Sequence, residues 1–493
     1  MHARTIKIGA GLVAALAFGT LVAPTGAFAD YAPAPKDVVG VGSDTLQALG
    51  DFVADGSYTA DNGFNTAGNK FKFISIDATA DANTRLAYGP GGANGLGTAT
   101  TTSTTSGGVT TTTTTDTAGC GAGTGSLAGT ANSGTADTNP ADFPCVLSPT
   151  VTLRAGTSPE QRPNGSGAGY NLLKADTDPS TGAAVGNGNF GIVNFSRSSS
   201  AKNGNNANID SITVGTDTLA MLAAGGTAST NAVPLSKAQL KLIYSCDPGA
   251  TRWNQVGGTS ADAIYPMIPQ VGSGTRSTFL ADIGAPTLGS CVHNVEENDP
   301  QAIADSGHVA DAIEPVSGSR LNLFNGVSGV ASQGNINGGF GYFNDNTCPY
   351  NPQISNLSAN SSQVTNCKTT KQSIVPQVAP ITSGSPSDGG AVYVDNRNLY
   401  IYFRDADIFS GTTWQPGGTL NWVRTMFYNP CTASITSKTI LSGSAATAAG
   451  CTIGNQGNLV GPGGDPYFAS AAGQQDIADS GVTPAWAYSP AAA

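Results

Sequence analysis

Three short Gly/Ser turns constrain this chain more than any other feature. They are Gly42-Ser43-Asp44-Thr45, Gly165-Ser166-Gly167-Ala168-Gly169 and Gly272-Ser273-Gly274-Thr275-Arg276-Ser277-Thr278-Phe279. Each is placed to follow an extended run and to open a helix. A helix start carries free backbone N–H groups and the positive end of the macrodipole. Gly lets a ligand approach the backbone, and Ser or Thr adds a hydroxyl donor. Three such turns meeting at one point would cage a small anion. Strands alternating with helices also argue for an α/β protein built on a parallel sheet. In such sheets ligands bind beyond the C-terminal ends of the strands.

The N-terminus reads as a targeting segment. Arg4 and Lys7 precede an apolar stretch from Ile8 to Val22, and Ala27-Phe28-Ala29 supplies a cleavage signal before Asp30. Residues 1–29 are therefore expected to be a secretory signal peptide. No Cys at the cleavage point suggests a lipid anchor, and no later apolar run is long enough to span a bilayer. A secreted or cell-surface location is expected. The formal net charge is −11, and loss of Arg4 and Lys7 deepens it by two. That balance argues against a nucleic-acid partner. It leaves a small anionic ligand open, because local dipoles and one Arg outweigh a distant negative field. Charged residues make up only 11% of the chain while Gly alone numbers 65, which fits an extracellular protein with long loops.

The eight cysteines are Cys120, Cys145, Cys246, Cys291, Cys348, Cys367, Cys431 and Cys451. An even number in an exported chain makes disulfides the default. Sequential pairing is expected: 120–145, 246–291, 348–367 and 431–451. No C-x-x-C spacing supports a zinc site.

Residues 30–36 read as a disordered lead-in. Strands are expected at Val38–Val41, Phe71–Ile76, Phe190–Phe195, Ser211–Leu222, Ile264–Ile268 and Asn398–Arg404. Helices are expected at Thr45–Val53, after Gly169, at Ser236–Tyr244, Ser277–Ile283 and Leu420–Phe427. Residues 89–145 collapse to Gly, Thr, Ser and Ala and read as a low-complexity insertion. Residues 296–313 look helical and acidic, with Glu296-Glu297 and Asp299 as a solvated helix start. Residues 325–390 are loop-rich, and signals weaken beyond about residue 475.

The order of these motifs resembles the substrate-binding proteins of phosphate ABC transporters, within the type 2 periplasmic-binding-protein fold. Gly42–Gln47 looks like the first anion-binding turn of that family and Gly165–Gly169 like the second. Phe190–Arg197 resembles the strand that follows, and Ser211–Leu222 the crossover into a second lobe. Pro234–Cys246 with Trp253 resembles a family helix and its downstream Trp. Gly272–Phe279 is the strongest match, to the second-lobe anion turn, and Arg397–Phe403 resembles a late strand. The resemblance covers most of residues 37–430.

It implies two α/β lobes with a ligand cleft between them. The first would span 37–205 plus about 405–493, and the second 206–404. It implies a monomeric binding protein rather than an enzyme, with no cofactor or metal. The ligand would be inorganic phosphate or a similar oxyanion, and the partners the membrane subunits of an ABC importer. Ser43, Asp44, Thr45, Ser166, Gly167, Ser196 and Arg197 would line the cleft from the first lobe. Ser273, Gly274, Thr275 and Arg276 would line it from the second. The family usually carries an Arg four residues before the Ser of the second-lobe turn. Pro269 stands there in this chain, leaving Arg276, Arg197 or Arg162 to supply the charge.

A dehydrated oxyanion needs many donors to replace water, and an Arg adds a bidentate contact. Monohydrogen phosphate also carries a proton that a carboxylate can accept, whereas sulfate would be repelled. Asp44 is the candidate acceptor, or else an ordinary helix cap. Ser43, Thr45 and the Gly165 and Gly272 stretches have plain turn readings, and the three Arg have plain surface readings. Two other functions stay open. One is a secreted or surface protein that kept the fold and lost transport. The other is a hydrolase, which would need His293 or His308 beside a Ser and a carboxylate. The spacing Asp176-x-Asp178-x-Ser180 is a partial calcium loop without its Gly and closing Glu.

Overall fold

The computed structural model describes residues 33–55, 63–65, 69–76, 78, 99–106, 109–116, 150–151, 153–158, 160–161, 163–202, 208–225, 229–284, 287–295, 297–298, 302–303, 306–325, 378–410, 413–414, 422–428, 452–453, 459–460 and 464–489. Its centre is one 10-stranded sheet. The strands are β1 (Val38–Gly42), β2 (Phe73–Ser75), β3 (Phe195–Ser198), β4 (Ile209–Ala224), β5 (Tyr265–Pro269), β6 (His293–Val295), β7 (Ala312–Ser317), β8 (Val378–Ile381), β9 (Val394–Arg404) and β10 (Thr483–Ser489). Their spatial order is β6-β5-β7-β4-β9-β3-β1-β2, with β8 and β10 also paired to β4. The helices used below are α1 (Gln47–Asp55), α2 (Ser166–Ala175), α3 (Lys237–Tyr244), α4 (Gly274–Ile283), α5 (Gly318–Asn325), α6 (Trp422–Met426) and α7 (Ala471–Asp479). No helix among the described residues is long and apolar enough to cross a membrane.

The sheet is mixed, which corrects the expectation of a parallel one. β1 runs parallel to β2 and β3, and β5 runs parallel to β6 and β7. The long strand β4 is antiparallel to β7, β8, β9 and β10. Local periodicity shows that a segment is extended, but its direction is set by which distant strand it meets.

Side chains alternate across a strand, and the core follows that rule. Val38 and Phe73 face one apolar cluster with Leu49 of α1, Phe427 and Ile477 of α7. Their neighbours Val39 and Ile74 face another with Leu173 of α2. β4 then feeds both ends of the sheet. Ile212 and Val214 join the first cluster, whereas Leu219, Met221 and Ala223 pack with Leu240 of α3, Trp253 and Phe279 of α4. Leu222 and Ala224 pack on the opposite face with Met267, Val316 and Leu321 of α5.

Helix ends follow their capping residues. Ser236 and Gln239 form a reciprocal capping box at the start of α3, at 3.1 Å in each direction. Ser273 Oγ accepts from the Arg276 N–H at 3.0 Å and starts α4. Gly284, at φ 57°, ends it in the left-handed region.

Four expectations shift. The strand expected at Phe190–Phe195 begins where that run ends, because Gly188 and Gly191 hold positive φ and keep the chain in a turn. Within 296–313 the described residues are helical at Ala302 and Ile303, whereas Asn298 turns the chain at φ 58° and β7 begins at Ala312. The tail past 475 carries α7 and β10, which joins the main sheet. Within the insertion, Ala99–Ser106 and Val109–Asp116 pair antiparallel, as Thr-rich β-branched runs favour. Cys246 and Cys291 are disulfide-bonded as expected. Cys120, Cys145, Cys348, Cys367, Cys431 and Cys451 lie outside the described residues.

Arg404 carries a buried polar knot. It donates to Asp176 Oδ2 at 2.6 Å and to the Val193 carbonyl at 2.8 Å, and sits 3.6 Å from Asp407. Burial outweighs that attraction and pushes Asp407 up to about 6. A carboxyl whose folded pKa is raised lends stability in acid and loses it as pH rises through the folded value. Asp407→Asn is therefore expected to add ~1–2 kcal/mol at pH 7.5, with the gain shrinking toward pH 4. Urea titrations of both proteins at the two pH values check this.

Candidate functional site

The three Gly/Ser turns meet. The first leaves β1 and enters α1, and the third leaves β5 and enters α4. The second starts α2, with Asn164 bridged to the end of β1 at Gly42. The Gly167 N–H donates to the Gly272 carbonyl at 2.9 Å, joining the second turn to the third. Gly274 has no room for a side chain, since a Cβ there would lie 2.3 Å from Ser199 Oγ and 2.5 Å from Ser166 Oγ. Gly165 takes φ 91°, and a Cβ on it would lie 2.7 Å from the Gly272 carbonyl. Glycine at these two positions is what lets the turns touch.

One oxygen sits at the meeting point, and it belongs to Glu297. Glu297 Oε1 accepts from Thr275 Oγ1 at 2.7 Å, from the Thr275 N–H at 3.3 Å and from Thr45 Oγ1 at 3.3 Å. Arg397 Nη2, from β9, donates to the same two hydroxyls, at 3.0 Å to Thr275 and 3.4 Å to Thr45. Arg397 is held by a fork onto Asp217 Oδ2, from Nε at 3.1 Å and Nη2 at 2.8 Å. The other Asp217 oxygen accepts the Ser319 N–H at 3.0 Å. Asn298 donates to Asp44 Oδ2 at 3.1 Å and to Thr45 Oγ1 at 3.3 Å, while its own carbonyl accepts from the Ser317 N–H. Arg320 lies 3.8 Å from Asp44 Oδ2. Lys202 stands near Glu297; burial pushes its ammonium down to about 8, and the Glu297 charge works against that shift. Three cations thus face three carboxylates in a region where Thr45, Asp44, Thr275 and Glu297 are almost wholly buried.

The expected residues divide clearly. Thr45, Ser166, Gly167, Gly274 and Thr275 lie where the turns converge, and Ser43 is buried one residue before Asp44. Ser273 lies there too, with its hydroxyl spent on capping α4. Ser166 Oγ accepts the Ser199 N–H at 3.0 Å. Ser196 instead packs between Gly42 and Gly169, beneath the first turn. Asp44 faces Asn298 and Arg320. Arg197 is fully buried and clamps the first turn to β2, donating to Ser75 Oγ and the Ile76 carbonyl at 2.6 Å each. Arg276 points behind its turn, to the Pro269 carbonyl and Asn294 Oδ1 at 2.7 Å each. Arg162 lies outside the described residues. The cation at the converging hydroxyls is therefore Arg397, which sequence reasoning missed. A charged side chain in the run Arg397-Asn398-Leu399-Tyr400-Ile401-Tyr402-Phe403 was the available signal. Glu297 is buried, which corrects its reading as a solvated helix start.

Other candidates go elsewhere. His293 and His308 stack on the Tyr265 ring, with centroids 3.9 and 4.4 Å away. Neither imidazole bonds a Ser and a carboxylate among the described residues. Asp176 accepts backbone N–H groups of Gly186, Ile192 and Val193, and Asp178 those of Ser180 and Thr181. Asp178 serves its turn, and Asp176 serves a turn and the Arg404 pair.

No protein-family model and no curated protein matches the chain. Among solved structures, it is similar to a putative phosphate ABC transporter substrate-binding protein with bound phosphate from Clostridium perfringens. The identity is 12% and the TM-score 0.32, over 66% of this chain and 86% of that one. A possible phosphate binding protein from Planctomyces limnophilus gives 13% and 0.27, over 64% and 86%. An ABC-type phosphate transport receptor from Vibrio cholerae gives 17% and 0.24, over 49% and 73%. Likeness at this level says nothing of ligand or activity, which rest on the geometry.

Proposed function

We propose that this chain binds a small tetrahedral oxyanion, phosphate first, where the three Gly/Ser turns converge. One observation carries the reading: an anionic oxygen is already held there by two Thr hydroxyls and a helix N-terminal N–H, with Arg397 on the same hydroxyls. Donors of that kind replace the hydration shell of an oxyanion, and the start of α4 adds its dipole. Arg397 takes the part that Arg276, Arg197 or Arg162 was expected to play. Ser43, Ser166, Gly167 and Ser273–Thr275 complete the wall.

In this reading the protein has two lobes, residues 37–205 with about 405–493 and residues 206–404, crossed by β4 and β9. The apolar clusters part between Val214 and Leu219 of β4, which supports two lobes with the crossing inside that strand. The chain is exported after loss of residues 1–29, acts as a monomer, and delivers its ligand to the membrane subunits of an importer without chemical change. A second reading, a surface protein that kept the fold and lost uptake, is favoured by Glu297 filling the site.

Calorimetry on the refolded, disulfide-intact protein tests this. Phosphate should bind saturably at pH 7.5. An anion beside Lys202 favours its charged form, so binding takes up a proton and weakens as pH rises through about 8. A loss of about tenfold is expected by pH 9.5, where phosphate's own charge hardly changes, and Lys202→Met should flatten it. Absence of binding to phosphate and sulfate at pH 7.5 would count for the second reading.

A further inference from the structure

Resting on that anion site, we propose that Glu297 is an internal counter-anion: its carboxylate holds the oxyanion's place in the unliganded protein, ties Thr45 to Thr275, and is displaced when the anion enters.

The contacts point this way. Every bond that Glu297 Oε1 accepts from Thr45 and Thr275 is one the proposed ligand would need. The donor set exceeds what a planar carboxylate takes up. Among the described residues, Ser43 Oγ and Arg397 Nη1 are buried without a hydrogen-bond partner. A tetrahedral anion with four oxygens and two charges can meet more of these donors than one carboxylate oxygen does, and an unmet buried donor is costly.

The carrier of the carboxylate is also suited to release. Glu297 follows β6, a three-residue strand at the edge of the sheet, whose His293 and Asn294 are exposed. Side chains help to fasten the turn. Gln270 Oε1 accepts the Glu297 N–H at 2.7 Å, and Asn298, in the left-handed region, reaches Asp44, Thr45 and Ser317. Short strands at a sheet edge and the turns beside them open at lower cost than paired interior strands. Asn298 and Glu297 thus bridge the first turn to the third. Displacement would pass the Thr45 and Thr275 hydroxyls from an internal acceptor to an external one, and the anion would take over the bridging role.

Titrating inorganic phosphate, and separately sulfate, into wild type, Glu297→Gln and Glu297→Ala decides the matter. Loss of the competitor should tighten phosphate binding about tenfold or more in Glu297→Ala. Glu297→Gln, which keeps the shape and loses the charge, should fall between and carries the test if the Ala variant folds poorly. Binding by the variants alone also supports the proposal. Weaker phosphate binding in both variants overturns it while keeping the anion site, because Glu297 would then be a ligand contact. No binding by any of the three proteins overturns the anion-site reading and the displacement with it.

Discussion

Arg397→Ala is expected to lower phosphate affinity at least ~100-fold and to cost ~3–5 kcal/mol of folding stability. Both losses come from one geometry. Arg397 and Asp217 are buried together, and the guanidinium makes two bonds to one carboxylate oxygen while touching Thr45 and Thr275. Truncation leaves the Asp217 charge buried with only the Ser319 N–H from the bonds described above, and breaking one side of a buried pair costs more than the pair contributes. The double variant Arg397→Ala/Asp217→Asn separates the two effects. Denaturant titration should show stability partly restored, while calorimetry should show phosphate binding still as weak as in the single variant. If the single variant binds phosphate like wild type, Arg397 is a scaffold cation and the charge of the site lies elsewhere.

The second large effect belongs to Gly169, on the side of α2 that faces β1. A Cβ there would lie 2.4 Å from Gly42 Cα, 2.9 Å from Gly42 N and 3.0 Å from Ser196 Oγ. Two of those atoms are backbone in a sheet strand and cannot yield. Gly169→Val must therefore push α2 off β1, at a cost of ~3 kcal/mol or more. The same helix carries Ser166 and Gly167, which join Ser199 and Gly272. Binding should fall along with stability, by about tenfold or more. Thermal unfolding and phosphate calorimetry on the one variant check both. An unchanged melting temperature would mean that the two elements slide apart without loss.

The legible part of this protein was its punctuation. Gly followed by Ser or Thr marked each helix start, and the extended runs before two of them became β1 and β5. The Cys246–Cys291 bridge is the one that sequential pairing favoured, although order alone does not single it out. The long strands were also visible, because Ser211–Leu222 and Asn398–Arg404 are extended on local grounds. What the chain hid was how they meet. Arg397 reaches Thr45 across 352 positions of sequence, and Glu297 reaches it across 252. No local pattern encodes such an approach. Arg197 and Arg276 looked like the better cations because they adjoin Ser196 and Thr275 of the expected site. Their side chains turn to backbone carbonyls instead. Glu297 was misread for a related reason: an acidic cluster normally marks a wet helix start, whereas Asn298 in the left-handed region accompanies a buried Glu297.

The strand β4 has a consequence for how the molecule comes into being. Its residues Ser211–Thr216 bond to β9 along one edge and to β10 along the other. Those partners are made long after it, during vectorial synthesis, and the last of them spans Thr483–Ser489. Until then a 16-residue, largely apolar strand offers an unpaired edge, the kind of template on which foreign strands nucleate. Closure of the sheet therefore waits until Thr483–Ser489 has been made. Until β10 pairs with it, that edge is open to the misassembly that delayed long-range strand pairing invites.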